Sequence, residues 1–293
     1  MTQKEAKVVN GSSSDVVSPE LIKKTLGKCI VGRSVIYVDK TTSTNDEAKK
    51  LAEEGAVEGT VVIAGEQSVG RGRLGREWIS PKGGVWLSVV LRPPSMRPIQ
   101  KLTLVAGLSV TKTFNGLYGV NAVLKWPNDV IVNGKKICGV LAEGAFEGEV
   151  PLYIVIGIGI NANFDLQPLP KSLRTSATSI RRLLRHDISL NDLIINLLKT
   201  LDTDYALFAR GEDESLMQEY EKLCATIGQD VRIMCDKETI EGRAKRISSE
   251  GGLVVGIGDG RETTVLSGDC IHLTEKLRKT RKNIKGEARK LRQ

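Results

Sequence analysis

The spacing of apolar positions predicts three helices and three strands in the first part of the chain. A helix starts at Ser18-Pro19-Glu20, where serine is a capping residue and proline fits the first helical position, and it extends to Leu26. A second helix follows a cap at Thr44 or Asn45, and a long apolar stripe predicts a third over residues 98–117. Short apolar runs predict strands at residues 35–38, 60–64 and 85–91.

A meander of four strands follows the long helix. Strands are predicted at residues 122–125 and 130–132, and the next two residues, Asn133-Gly134, are a strong signal for a two-residue hairpin turn. The return strand covers residues 137–142, and a last strand covers 152–157. Because most of these strands are joined as hairpins, we predict an α+β fold in which a mixed, mostly antiparallel sheet is covered by helices.

The pattern changes again near residue 226. Residues 189–225 have the apolar stripe of helices, whereas residues 228–273 contain short strands separated by turns, which predicts a small β-barrel. We therefore expect four segments: a flexible leader (1–19), a main domain (20–226), a small C-terminal β-barrel domain (227–275) and a basic tail (276–293).

The net charge of +8 is located in the tail. Residues 276–293 hold nine Lys or Arg residues and one acidic residue, so the rest of the chain has 34 basic and 34 acidic residues and is neutral overall. The charge total is therefore weak support for a nucleic-acid-binding protein, the alternative from a different functional class. For the tail itself, a solvated extension, an acidic partner and weak nucleic-acid binding remain open.

Composition argues against several other kinds of site. The five cysteines are scattered without a C-x-x-C pair, which disfavours a zinc site or a disulfide framework, and only two histidines are present. No apolar run approaches the roughly 20 residues that cross a bilayer. Residues 1–15 lack the apolar stretch of a signal peptide. We expect a cytoplasmic protein without a membrane partner.

The first segment with candidate chemistry runs from Gly65 to Trp78, directly after a predicted strand. Three glycines alternate with three arginines, so the backbone can approach a ligand closely while guanidinium groups bind phosphate or carboxylate. The formal G-x-G-x-x-G match is not a Rossmann motif, because Trp78, Ser80 and Pro81 prevent a long helix here. A P-loop is excluded because the Gly-Lys-Ser/Thr ending is missing. A solvated basic loop is the alternative to an anion-binding loop.

The second segment is Lys125-Trp-Pro-Asn-Asp-Val130, in which a strand ends at proline and Asn128 and Asp129 lie at a turn. If the predicted hairpin forms, Lys136 returns beside this turn and Gly139 allows close approach. A lysine, a carboxylate and an amide on one sheet face suit a phosphate, a bound cation and a carboxylate being joined. A plain Pro-Asn-Asp turn is the alternative.

The third segment, Gly157-Ile-Gly-Ile-Asn161, ends a predicted buried strand. Small residues are common at strand ends, so this segment is weak support by itself. The Asn161 amide could nonetheless donate to and accept from the edge of an adenine ring at once.

In order and spacing, these segments resemble the biotin–protein ligase family. The matching segments are Ser43-Thr44-Asn45, Gly70-Arg-Gly-Arg-x-Gly-Arg-x-Trp78, Lys125-Trp-Pro-Asn-Asp129, Lys136-x-x-Gly139 and Gly157-Ile-Gly-Ile-Asn161. The resemblance covers about residues 20–273 and implies a class II synthetase-like catalytic domain followed by an SH3-like barrel. It also implies that biotin and ATP form biotinyl-adenylate, from which a lysine of an acceptor domain displaces AMP.

The resemblance further implies roles for individual residues. Lys136, Arg73 and Asp129 would be catalytic, with Lys136 over the biotinyl carbonyl and Asp129 beside phosphate or Mg²⁺. Biotin would be bound by Ser43, Thr44, Gln67, Gly70, Arg71, Trp78, Lys136 and Gly139. The nucleotide would be bound by Arg73, Arg76, Trp78, Asn128, Asp129 and Asn161. ATP and Mg²⁺ are the implied cofactors and biotin is the substrate, while the metal ligands stay unassigned.

The implied partner is a biotin carboxyl carrier protein or domain of a biotin-dependent carboxylase, and a homodimer through the sheet edge is compatible with the family. Many family members carry an N-terminal helix-turn-helix. The roughly 20 residues before the main domain are too few for three helices of about 11 residues each, so we expect no specific DNA binding through that end. A lipoate–protein ligase of the same fold is the alternative assignment.

Overall fold

The computed structural model describes residues 16–93, 98–167, 169–236, 238–258 and 260–273. Residues 1–15 of the predicted leader and the whole predicted basic tail lie outside these ranges. The described chain forms a seven-stranded sheet covered by helices and a second, five-stranded sheet.

The helices are α1 (Pro19–Leu26), α2 (Thr44–Glu53), α3 (Ile99–Tyr118), α4 (Lys171–Ser176), α5 (Ile180–Leu184), α6 (Leu190–Arg210) and α7 (Glu214–Leu223). The strands of the large sheet are β1 (Ser34–Thr41), β2 (Thr60–Gln67), β3 (Val85–Leu91), β4 (Val123–Lys125), β5 (Asp129–Val132), β6 (Lys135–Glu147) and β7 (Val150–Ile160). The strands of the small sheet are β8 (Asp230–Met234), β9 (Thr239–Ile247), β10 (Leu253–Gly256), β11 (Glu262–Val265) and β12 (Asp269–His272).

The large sheet is mixed and mostly antiparallel, as predicted. Its strand order is β1-β2-β3-β7-β6-β5-β4, and β1 pairs with β2 in parallel because α2 carries the chain back between them. The other neighbours are antiparallel, and the β5–β6 turn has the positive φ values, 50° at Asn133 and 73° at Gly134, that a type I′ hairpin needs. The predicted hairpin and fold class are therefore confirmed.

Helices α3 and α6 pack together over one face of the sheet, because each carries a continuous apolar stripe. Helix α6 starts where the Ser189 hydroxyl accepts from the Asp192 amide, and it ends at Gly211 with φ of 82°. Between the two helices the buried Asp204 carboxylate is compensated by the Lys112 ammonium at 2.8 Å and the Ser109 hydroxyl at 2.7 Å.

The predicted cap of α2 is wrong. The cap residue is Ser43, which makes no capping bond with its side chain, while Thr44 and Asn45 are the first helical residues. Their side chains are held by the sheet instead: the Thr44 hydroxyl donates to Gln67 Oε1, and the Asn45 amide contacts Ser88 and Glu143. Contacts with side chains of strands β2, β3 and β6 take the place of a local cap. The spacing of residues in the sequence does not reveal such contacts.

The small sheet packs against the large domain through a continuous apolar core. Its order is β11-β10-β9-β8-β12, and its buried Val231, Ile233 and Leu253 belong to the same apolar cluster as α3 and α6. The Trp126 indole Nε1, from the end of β4, donates to the Gly251 carbonyl at 3.2 Å. This bond ties the turn between β9 and β10 to the end of β4. No helix within the described ranges is long and apolar enough to cross a membrane.

Candidate active site

A cavity of about 320 Å³ lies where the β2–β3 loop, the β4–β5 turn, strands β6 and β7 and the β11–β12 turn meet. Its polar and charged lining comes from the large domain, except for Asp269, which comes from β12. The lining residues from the predicted set are Ser43, Thr44, Gln67, Arg71, Arg73, Arg76, Trp78, Asn128, Asp129, Lys136 and Gly139. Segments as far apart in the chain as Ser43 and Asp269 thus form one site.

The β5–β6 hairpin brings a lysine and a carboxylate together in this cavity. Asp129 is paired in register with Gly139, and the Lys136 ammonium Nζ lies 2.5 Å from Asp129 Oδ1. This contact lacks hydrogen-bond geometry, so the buried Oδ1 has no hydrogen-bond partner among the described residues. Lys136 Nζ also lies 5.0 Å from the centre of the Trp78 ring. The cation is thereby held between a carboxylate and an aromatic face.

The glycine–arginine loop is folded onto itself rather than loosely solvated. The Trp78 amide donates to the Gly70 carbonyl at 2.9 Å, and the Gly72 amide donates to the Arg76 carbonyl at 2.7 Å. A Cβ on Gly70 would lie 2.3 Å from the Trp78 carbonyl oxygen, so glycine is required for this closure. The tip is a single 3₁₀ turn at Arg73–Gly75, consistent with the prediction that no long helix follows.

The glycines of β7 make room for side chains of the site. A Cβ on Gly159 would lie 2.6 Å from Trp78 Nε1, and a Cβ on Gly157 would lie 2.2 Å from Asn45 Oδ1. Trp78 therefore packs directly on the β7 backbone and meets Trp86 edge-on, with ring centres 6.5 Å apart. Its Nε1–H is buried without an acceptor among the described residues.

Each arginine of the loop has a protein partner. Arg71 forms a forked pair with Asp46, at 2.7 and 2.5 Å. Arg76 forms another with Asp269, at 3.1 and 2.7 Å, and this hydrogen bonding lowers the pKa of the Asp269 carboxyl.

Arg73 is the more enclosed cation. It donates to the Gly268 carbonyl at 3.3 Å and lies at 3.5 Å from Asn128 Oδ1 and Ser267 Oγ. Burial lowers the pKa of its guanidinium, although such a group stays charged at neutral pH. The hydrogen bonds of Arg73 in the described chain are long and go to uncharged groups, while Asp129 and Asp269 act on it through their charge. This partly desolvated cation is suited to receive an anionic ligand.

The opposite end of the cavity is a hydrogen-bonded polar network. Gln67 Oε1 accepts from the Thr44 amide at 2.8 Å, and Gln67 Nε2 donates to Ser80 Oγ at 2.8 Å. Ser88 Oγ lies 2.7 Å from Thr44 Oγ1 and 2.6 Å from Asn45 Oδ1. Donors and acceptors are therefore fixed in place before any ligand arrives.

Two residues of the predicted set do not line the cavity. Gly70 acts through the loop backbone described above. Asn161 is buried, and its Nδ2 donates to the Thr178 carbonyl at 3.0 Å while its own carbonyl accepts from the Ile180 amide. The Asn161 amide thus fixes the segment after α4, and contact with adenine stays a prediction.

Several lining residues were missed by the sequence analysis. Asp269 belongs to the small sheet, and nothing in the sequence links it to the arginine loop. Leu173 lies on α4, a short helix that was not predicted. Asn45 and Trp86 lie inside or close to segments that match the family, so their positions in the sequence indicated that they could belong to the site. Their contacts depend on strand pairing, which the sequence does not show.

Comparison with known proteins identifies the family. A model of the biotin/lipoate A/B protein ligase family matches residues 35–161. The biotin--[acetyl-CoA-carboxylase] ligase of Mycobacterium tuberculosis is 32% identical over 273 residues, which cover 88% of this chain and 98% of that protein. This chain belongs to the biotin–protein ligase family.

Other family members agree with this assignment. The bifunctional ligase/repressor BirA of Bacillus subtilis is 34% identical over 235 residues, covering 79% of this chain and 72% of that protein. The biotin protein ligase from Aquifex aeolicus, solved in complex with biotin and ATP, has a TM-score of 0.71 and 28% identity over 82% of this chain and 98% of its own. The family resemblance drawn from the sequence is confirmed.

Proposed function

We propose that this chain is a biotin–[acetyl-CoA-carboxylase] ligase, which makes biotinyl-5′-AMP from biotin and ATP and transfers biotin to a lysine of a carrier domain. The observation that carries the proposal is the Lys136–Asp129 pair held against Trp78 in a cavity that Arg73 and Arg76 also line. Residues 20–226 would form the catalytic domain, and the barrel of residues 227–275 would complete the site. An ATP-dependent activity of this kind fits the cytoplasm.

Biotin would bind with its ureido ring at the polar network. That ring offers one carbonyl acceptor and two N–H donors, and the network around Ser43, Thr44 and Gln67 holds both kinds of partner in fixed positions. The Trp78 face and the Gly139 backbone would cover the apolar part of the ligand. The backbone at Gly70 and Arg71 would close the loop over it.

In the first step, the biotin carboxylate attacks the α-phosphorus of ATP, forming a C–O–P bond while pyrophosphate leaves. Bringing a carboxylate to a triphosphate gathers several negative charges, and only a cationic site lowers that repulsion. Arg73, Arg76 and Lys136 line the cavity, and we assign this task to them. For the arginines, phosphate would replace the present contacts with Gly268 and Asp269. Trp78, Asn128 and Asn161 would hold the nucleoside.

Mg²⁺ would fit at Asp129. Its Oδ1 accepts no hydrogen bond in the described chain and is paired with the Lys136 ammonium at 2.5 Å, a cation that Mg²⁺ would replace. No group of three His, Cys, Asp or Glu residues that could cage a metal occurs in the described chain. Mg²⁺ is commonly bound through one or two carboxylates plus substrate phosphates. When bound, the ion would neutralise phosphate charge, and Asp129 would hold it beside Asn128.

In the second step, the amine of the acceptor lysine attacks the biotinyl carbonyl, the C–O bond to AMP breaks and the amine loses a proton. Negative charge develops on the carbonyl oxygen, where Lys136 would stabilise it. The closed loop would keep the adenylate from water until the acceptor arrives.

The test is pyrophosphate release from ATP with biotin or with lipoate, the competing substrate because the matching family model includes lipoate ligases. Biotin should support release and lipoate should not. Lys136→Ala should lower kcat by about 100-fold or more. Lys135→Ala, a change of the adjacent half-buried lysine, should leave it near wild type. Release that responds to lipoate but not biotin would reject the substrate assignment.

A further inference from the structure

A short stretch after β7 concentrates positive charge. Residues 171–186 contain five Lys or Arg residues and no Asp or Glu, although the chain before the tail is neutral overall. We call this set the basic rim: Lys171, Arg174, Arg181, Arg182 and Arg185. The excess of positive charge is therefore local to this stretch, because the chain before the tail as a whole carries no net charge.

The basic rim stands beside the mouth of the active-site cavity. Leu173, which lies between Lys171 and Arg174 on α4, lines that cavity. The following backbone is fixed to β6, because the Thr178 amide donates to the Lys136 carbonyl at 2.8 Å. The rim is thus rigidly connected to the catalytic strand through a direct hydrogen bond.

The rim cations do not face into the cavity. None of the five is among its lining residues, and four of them line a separate shallow hollow together with Asp165. Within the described ranges only Arg181 has a carboxylate partner, Asp187, at 3.1 Å. Most of this charge therefore has no carboxylate partner in the described chain, and it lies outside the cavity.

We infer that the basic rim is a docking surface for an acidic patch beside the acceptor lysine of the carrier protein. This inference rests on the proposed function, in which a macromolecule must bring a lysine amine to a cavity that already holds Arg73, Arg76 and Lys136. These cations repel a protonated lysine amine as it approaches. Attraction between the basic rim and acidic residues beside that lysine on the carrier would offset the repulsion. Complementary charges at the rim of an interface accelerate association and fix orientation.

The experiment separates the two half-reactions. Biotin-dependent pyrophosphate release reports adenylate formation, and incorporation of biotin into an apo biotin carboxyl carrier domain of acetyl-CoA carboxylase reports transfer. The test variant is Lys171→Glu with Arg182→Glu, since both side chains are exposed and lie in the first turns of α4 and α5, where glutamate is compatible with a helix. The control is Lys24→Glu with Lys199→Glu, two exposed lysines on α1 and α6.

The expected result is a rise of about 10-fold in KM for the carrier domain at low salt, with the kinetics of pyrophosphate release unchanged. Added salt should raise the wild-type KM and leave that of the test variant nearly constant. The control variant should behave like the wild type. Lys171→Gln with Arg182→Gln should fall between wild type and the charge reversal.

Three outcomes would overturn the inference. The carrier KM could stay unchanged in the test variant, or the KM for ATP could rise instead, which would assign the rim to the nucleotide. Fluorescence anisotropy could also reveal binding to a DNA duplex that the test variant loses while its carrier KM stays normal. A wild type without biotin-dependent pyrophosphate release would instead reject the proposed function, and the inference with it.

Discussion

The Arg76 guanidinium and the Asp269 carboxylate, 193 residues apart in sequence, form a two-bonded ion pair at 3.1 and 2.7 Å. The pair joins the glycine–arginine loop of the large domain to the small sheet across the cavity. It also places a negative charge where the proposed triphosphate would have to bind. Asp269 is therefore both a partner for the loop and a competitor of the nucleotide.

We predict that Asp269→Asn lowers the KM for ATP by about two- to fivefold at low ionic strength, because a partly exposed ion pair of this kind contributes at most about 1 kcal/mol. The measurement is pyrophosphate release at saturating biotin. Glu250→Gln removes an exposed carboxylate elsewhere in the small domain and should have no effect. An unchanged or higher KM in Asp269→Asn would mean that Arg76 does not exchange its partner for phosphate.

His272 should make the stability of the fold depend on pH. Its Nε2 lies 2.9 Å from Thr226 Oγ1, and burial lowers the pKa of the imidazole below its ordinary value of about 6.5. The unfolded chain then binds a proton more readily than the folded one. The free energy of unfolding should consequently fall as pH drops from about 6.5 toward the lower folded pKa, and it should be constant above that range.

Urea unfolding of wild type and His272→Gln between pH 5 and pH 8 tests this dependence. The substitution should flatten the slope of stability against pH in the acidic part of the range. His186→Gln, which changes the exposed histidine, should keep the wild-type slope. Equal slopes in all three proteins would show that His272 does not titrate with folding.

Gly159→Ala should damage the site and the fold together. The added Cβ would meet the Trp78 indole at 2.6 Å, so the ring must move away from β7. We expect a loss of about 1–3 kcal/mol in the free energy of unfolding, as for other overpacked sites, and a loss of pyrophosphate release. Gly116→Ala, on an exposed part of α3 with no atom within 4 Å of the new Cβ, should instead stabilise by about 0.5–1 kcal/mol. Wild-type activity in Gly159→Ala would contradict the close packing.

Ligand binding should be visible at one of the three indole N–H groups. Trp86 Nε1 already donates to the Pro81 carbonyl at 2.9 Å and Trp126 Nε1 to the Gly251 carbonyl at 3.2 Å, whereas Trp78 Nε1 has no acceptor in the described chain. Addition of biotin and ATP should therefore shift the Trp78 indole signal most in a proton–nitrogen NMR spectrum, with Trp78→Phe used for assignment. A larger shift at Trp86 or Trp126, whose N–H groups already have acceptors, would contradict ligand contact at the Trp78 indole.

Local patterns in the sequence were sufficient for most of the fold. The Asn133-Gly134 turn set the pairing of Val132 with Lys135 and of Ile131 with Lys136, because both turn residues tolerate the positive φ that this turn demands. That register in turn brought Lys136 back to Asp129, so the central pair of the site followed from a local rule. The apolar stripes of α3 and α6 likewise follow from a 3.6-residue period that any buried helix face must have.

What depended on contacts between distant segments was decided only by the tertiary structure. The cap of α2 was mispredicted because Thr44 and Asn45 bond to Gln67, Ser88 and Glu143 across the sheet. Helices α4 and α5 are too short to produce a readable period.

The tertiary structure also decided two other features. They are the ion pair between Arg76 and Asp269 and the position of the basic rim beside the cavity mouth. Sequence alone determined which segments carry charge, glycine and apolar faces, since these are properties of neighbouring residues. The packing of the two sheets determined which of those charges meet, because hydrogen bonds and ion pairs act over a few ångströms in space whatever the separation along the chain.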